Sequence, residues 1–305
     1  MKKRRLLFVF PLFLFCIGFS FCRGEKTFVV KEGCYVPLFG TDGSKLLYHA
    51  GAHGTNCYYL CTVLLPGSLL DVSDLDEKIS KVVWHVNPKK TFEGYVHNEF
   101  LKNFCEEVSK NTAGYPPSPM PLKEIRTIFQ RCIDERIPYC WGGNWFETIP
   151  MPDDYHFEPT DVIGEKPYEL RGFDCSGLLY FISNGLLPHS TRQLRSCGKI
   201  LYRIGKNDTI SLKDLREKLA ALQLRDSDYV VIEGHVVVCY NGGVIEFRGM
   251  DYGCVFTPAE KAAERIMALV AAIRKTDDDE SDVRFIRWHP ELLKEKKKKN
   301  SFEKV

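Results

Sequence analysis

The chain has 305 residues, 44% of them hydrophobic, and a formal net charge of +2. It can bury a sizeable core, and its length corresponds to about two domains. So balanced a charge excludes the overall basic footprint of a nucleic-acid-binding protein.

Met1-Lys2-Lys3-Arg4-Arg5 and the apolar run from Leu6 to Phe21 read as the charged and hydrophobic regions of a secretory signal over residues 1–22. Cleavage is expected before Arg23. The alternative is an uncleaved anchor, because the run is nearly long enough to span a bilayer. The protein is therefore expected in the periplasm or cell envelope, touching membrane only through this segment. Ten of the twelve cysteines follow the cleavage point. Export permits disulfides, but apart from Cys57-x3-Cys61 no close spacing suggests a framework, and the pairings stay open. No Cys/His cluster has a zinc spacing, so no metal is expected.

Residues 23–112 read as a mostly β unit. Phe28-Val29-Val30, Leu46-Leu47-Tyr48, Tyr58 to Leu65 and Val82 to Val86 are short β-rich runs broken by Gly and Pro, with a turn at Pro66-Gly67. Gly94-Tyr95-Val96 precedes a short helix through Leu101 and Phe104. Tyr58, Tyr59, Trp84 and Tyr95 read as core or wall rather than as a ligand platform. Residues 113–121, with four prolines, form an extended linker. Ile125, Ile128, Phe129, Cys132 and Ile133 then mark one face of an amphipathic helix that delivers Tyr139. The acidic stretch between Gly143 and Asp174 holds Asp153, Asp154, His156, Glu158 and Asp161 and reads as a lid or cleft wall.

In Arg171-Gly172-Phe173-Asp174-Cys175-Ser176-Gly177 a polar segment gives way to Leu178, Leu179 and Ile182 at helical spacing, and Asn184-Gly185 closes that helix. Cys175 sits at or just before the first turn. Unpaired N–H groups there favour negative charge, so the thiol is expected to ionise more easily than a free one. That makes it a candidate nucleophile; the alternative is a small hydrophobe packed under a loop. Downstream, two β-branched runs flank Asn241-Gly242, a strong hairpin signal. With a two-residue loop Val237 pairs with Glu246, and His235 and Glu246 project from one face. Nucleophile, base and base-orienting acid are then all supplied. A three-residue loop would turn Glu246 to the other face. Thr257-Pro258-Ala259-Glu260 reads as a capping box opening a helix that buries Ala262, Ile266, Leu269, Val270 and Ile273. Val283 to Trp288 is a final strand, and residues 291–305 form a basic tail, solvated or touching an anionic surface.

Pro138-Tyr139-Cys140-Trp141-Gly142-Gly143, Phe173-Asp174-Cys175-Ser176-Gly177-Leu178 and Gly234-His235-Val236 resemble, in order, three signature blocks of the NlpC/P60 cysteine peptidases. Leu187-Pro188-His189-Ser190-Thr191 is similar to the family's Leu-Pro-Arg-Thr-like segment, with His where Arg is usual. Asp226-Ser227-Asp228 resembles its Pro-Gly-Asp turn. The resemblance implies an α+β fold, with a papain-like catalytic domain over residues 122–290. The order of strands before it is similar to a bacterial SH3-type barrel. It further implies Cys175, His235 and Glu246 as catalytic residues, and Tyr139, Asp174 and Ser176 at the oxyanion and substrate. Most relatives have His at the third position. The implied substrate is a peptidoglycan stem peptide or muropeptide, cut between γ-D-glutamate and a diamino acid without any cofactor. Two other functions stay open: a thiol acyltransferase or deamidase on the same fold, and a catalytically inactive exported wall-binding protein. The oligomeric state is open too.

Overall fold

The computed structural model describes residues 26–40, 46–51, 54–57, 60–74, 78–87, 90–109, 118–150, 157–159, 169–276 and 281–293. The signal segment, Tyr58 and Tyr59, most of the linker, Asp153, Asp154, His156, Asp161 and the tail from Lys294 lie outside the described residues. Among those described, no helix is long and apolar enough to cross a membrane.

The first part of the chain is strand after strand: β1 (Lys26–Val30), β2 (Val36–Phe39), β3 (Leu46–Gly51), β4 (Gly54–Cys57), β5 (Leu60–Leu64), β6 (Leu69–Asp74), β7 (Ile79–Asn87) and β8 (Lys90–His97), then helix α1 (Asn98–Phe104) and β9 (Cys105–Val108). β-Branched and aromatic runs favour the pleated backbone. Gly67, at φ +80°, makes the turn from β5 into β6. Seven of these strands form one sheet in the order β5-β2-β8-β7-β6-β1-β9. Its end strands β5 and β9 are not paired with each other, so no closed barrel is found among the described residues.

The second part begins with α2 (Leu122–Asp134), whose buried face is Ile125, Phe129 and Cys132. There follow β10 (Tyr139–Cys140), β11 (Asn144–Pro150), β12 (Phe157–Pro159), β13 (Glu169–Phe173), α3 (Gly177–Ile182), α4 (Thr191–Leu194), β14 (Lys199–Gly205), α5 (Leu212–Leu222), β15 (Tyr229–Ile232), β16 (His235–Tyr240), β17 (Gly243–Phe247), β18 (Cys254–Thr257), α6 (Ala259–Ile273) and β19 (Asp282–Arg287). A second sheet runs β11-β13-β10-β4-β3-β12 and a third β14-β19-β15-β16-β17-β18. The fold is thus mixed helix and sheet. One core joins the two parts: Leu38, Phe39 and Leu64 share it with Phe173, Leu178, Val236 and Phe247. A second core lies between the third sheet and α6, where Ile266, Leu269, Val270 and Ile273 pack with Val230, Val237 and Phe285. The α6 face is the one its periodicity gives, but its start differs from the capping box. Thr257 is drawn into β18 opposite Val244, and the helix begins after Pro258 without a side-chain cap.

The turn before β15 carries a strained residue. Asp228 is buried, accepts from Arg225 N–H (2.9 Å) and is clamped by the Arg287 guanidinium at 2.7–3.1 Å. This clamp holds Ser227 at φ +77°, with its hydroxyl buried and lacking a hydrogen-bond partner. A left-handed L-residue costs about 1–2 kcal/mol and an unsatisfied buried hydroxyl about 1–3. Glycine removes both and returns about 0.5–1 in chain entropy. Ser227→Gly is therefore expected to raise the melting temperature by about 2–4 °C, measured by thermal unfolding; an unchanged or lower value would contradict this reading of the turn.

Candidate active site

The site is assembled where β13 runs out into α3. Asp174, the residue after β13, is buried and uses both carboxylate oxygens. Oδ1 accepts from Ser176 N–H (2.8 Å), Ser176 Oγ (3.0 Å) and Gly177 N–H (2.7 Å), capping the start of α3. Oδ2 accepts from Gly142 N–H (3.0 Å) and pairs with His189 Nε2 (2.9 Å). Burial works against its charge, but His189 and these donors hold the carboxyl below the usual aspartate range. Asp174 and Ser176 thus fix the backbone on either side of Cys175. The packing leaves no slack. A Cβ on Gly142, at φ +69°, would lie 2.2 Å from Leu60 O, and one on Gly177 would lie 2.0 Å from Gly143 O.

Cys175 is half-buried, with Sγ 3.9 Å from Gly234 O, the carbonyl just before His235. Burial and then the Asp174 charge push its thiol up, against the smaller pull of the backbone N–H groups of Val236, Cys175 and Ser176. This corrects the expectation of an easily ionised thiol. The N-terminus of α3 already has its anion, the Asp174 carboxylate, so little of the helix-end field is left for the sulfur. Tyr139, on β10, is buried; burial, Asp174 and Cys175 all raise its phenol, which stays a neutral donor.

His235 opens β16, and the turn into β17 settles where its partner lies. Asn241 and Gly242 both have positive φ (+46° and +75°), the geometry of a two-residue hairpin loop. Tyr240 pairs with Gly243, Cys239 with Val244 and Val238 with Ile245. That register brings His235 Nε2 to 2.6 Å from Glu246 Oε2. The Glu246 side chain is fully buried, yet its carboxyl is held below the usual glutamate range. Burial alone would raise it; hydrogen bonds from His235 and Arg265 outweigh that.

Two further residues join the site without having been singled out for it. Arg265, on α6, grips Glu246 with a fork: Nε donates to Oε1 (2.5 Å) and Nη2 to Oε2 (2.6 Å). The signal in the sequence was an arginine beside the apolar stripe Ala262, Ile266, Leu269. Thr62, on β5, meets His189 Nδ1 at 2.9 Å, and the Asn144 amide bonds both ways with the Val63 backbone at 2.9 Å. The first sheet is thereby tied to the loop beside the candidate nucleophile. Trp141, in the turn between β10 and β11, is half exposed. Cys175 is a free thiol, and no cluster of His, Cys, Asp or Glu suited to a metal occurs among the described residues.

No family model matches the chain, and no curated protein does. Similar solved structures include an NlpC/P60 family protein from Bacillus cereus ATCC 10987, 14% identical, with a TM-score of 0.30 over 87% of this chain and 64% of that one. They also include NlpC1 from Trichomonas vaginalis, 12% identical, with a TM-score of 0.26 over 84% of this chain and 69% of that one. The chain spans under two thirds of the Bacillus protein's length.

Proposed function

We propose that this chain is an exported cysteine peptidase of the NlpC/P60 type that hydrolyses peptidoglycan stem peptides at the γ-D-glutamyl–diamino acid bond. The observation that carries the reading is the 2.6 Å contact between His235 and the buried Glu246, on a strand whose preceding carbonyl lies against the Cys175 sulfur. Substrate and bond follow from the resemblance of the sequence blocks around Tyr139, Cys175 and His235.

Cys175 rests as a thiol, because burial and Asp174 disfavour its anion. Glu246 engages Nε2 of His235 and leaves Nδ1 to take the thiol proton as sulfur attacks the scissile carbonyl. The Cys175 N–H and the Tyr139 hydroxyl donate to the oxyanion. The imidazolium then gives its proton to the leaving amine, the C–N bond breaks and a thioester remains. Water, deprotonated by His235, attacks that thioester and releases the acid and the free thiol. Residues 1–22 direct export. Residues 23–112, an SH3-like unit in this reading, restrict which fragments enter; equal rates on free stem peptide and sugar-linked muropeptide would contradict that part.

The test of the site is covalent capture. A stem-peptide halomethyl ketone incubated with the full chain is expected to label Cys175 alone among the cysteines, and His235→Ala is expected to abolish the labelling. Even labelling across the cysteines, or none at Cys175, would favour an inactive wall-binding protein instead.

A further inference from the structure

Helix α6 packs its apolar face on the third sheet, yet it reaches the candidate site through one side chain. The Arg265 guanidinium lies in a bidentate pair with Glu246, donating to both oxygens, while Oε2 also meets His235 Nε2. Three N–H groups therefore converge on one carboxylate with no side-chain exposure. A fork of this kind fixes the plane of the carboxylate as well as its position. The third sheet alone sets the Glu246 backbone; the fork sets which oxygen faces the imidazole. We propose that Arg265 is a positioning residue of the Cys175–His235–Glu246 site, holding Glu246 in plane with His235 and tuning how tightly the imidazole keeps its proton. The inference rests on the peptidase reading above.

The tuning has a definite sign. Beside a neutral His235, Arg265 and Glu246 form a pair with no net charge, so a proton on the imidazole adds a cation next to the guanidinium. Removing the Arg265 charge should make His235 hold its proton more tightly; removing the Glu246 charge should do the opposite. The charged and titratable groups facing Glu246 are His235 from β16, Arg265 from α6 and Cys254 from β18, whose thiol burial and Glu246 push up. Arg265 also keeps a proton off Glu246, leaving Nε2 of His235 to donate and Nδ1 free for the Cys175 proton.

The experiment follows the His235 ring signals by NMR against pH in the full chain, assigned by their loss in His235→Ala. Arg265→Gln is expected to move the midpoint of those signals to higher pH and Glu246→Gln to move it to lower pH. Turnover of a defined muropeptide should fall about ten- to a hundredfold in Arg265→Gln, the scale seen when an outer partner that orients a histidine is lost. In a Glu246→Gln background the same change should cost less than about threefold, because its route is gone. Arg265→Lys, which keeps the charge and loses the fork, should leave the midpoint near wild type while lowering turnover. A merely structural arginine would leave the midpoint in place and cost the same in both backgrounds, and either result overturns the proposal. If Arg265→Gln does not fold, Arg265→Lys carries the comparison between backgrounds, with equal costs overturning it. Turnover retained by Cys175→Ala would instead defeat the peptidase reading itself, whatever the titrations give.

Discussion

Alanine at Cys175 or at His235 is expected to lower muropeptide turnover by about three orders of magnitude or more, the scale seen when a reacting member of a catalytic triad is lost. Neither change should unfold the chain. Cys175 is half-buried and contributes a sulfur near the Gly234 carbonyl, while the cap on α3 is made by Asp174. His235→Ala leaves the Arg265–Glu246 pair intact, so no buried carboxylate is stranded. Activity loss without a fall in melting temperature thus reports chemistry. The effect is large because each group acts twice: sulfur as nucleophile and leaving group, imidazole as base and acid. Turnover within tenfold of wild type in either variant, with the fold intact, would contradict the assignment.

Glu246→Gln is expected to cost roughly 10- to 10⁴-fold in turnover, a range set by how far related triads depend on their acid. The physical reason is a count of donors. Two carboxylate oxygens serve three N–H groups, from His235 and the Arg265 fork. An amide keeps one acceptor oxygen and puts an NH2 donor group in place of the other, so at least one of the Arg265 N–H groups meets another donor. Stability should fall as well, by about 1–3 kcal/mol for the unmet donor. The pH dependence has a fixed sign. The Glu246 carboxyl is lowered on folding, so its contribution is present above the unfolded glutamate pKa and is lost as pH falls through the folded value. Denaturant melts against pH should show the wild type losing this contribution in acid, and Glu246→Gln lacking that part of the slope. Turnover within twofold of wild type would remove Glu246 from the site.

Much of the site was legible because its determinants are local. Asn241-Gly242 dictates a two-residue loop, and that alone fixes which strand positions face one another, hence the meeting of His235 and Glu246. The apolar spacing of α2 and α6 gives their buried faces, and the polar-to-apolar switch at Cys175 gives the start of α3. What was not legible depends on contacts distant in the chain. Arg265 reaches Glu246 only once α6 has folded back over the third sheet, and Thr62 reaches His189 only once β5 lies beside the second part of the chain. The raised thiol of Cys175 is not legible for a related reason. The helix start is visible in the sequence, but that Asp174 turns its carboxylate into it is a matter of side-chain placement. β14 and α5 lay outside the reading, although Ser211 and Asp214 carry the capping box that opens α5.

The most direct measurement is mass spectrometry of defined muropeptides incubated with the purified chain, with Cys175→Ala in parallel. Hydrolysis at the γ-D-glutamyl–diamino acid bond should release a fragment with a new free diamino-acid amine and its partner acid, in the wild type alone. An exchanged amide would point to acyl transfer. Unchanged muropeptides, or the same fragments from Cys175→Ala, would contradict a peptidase that works through Cys175.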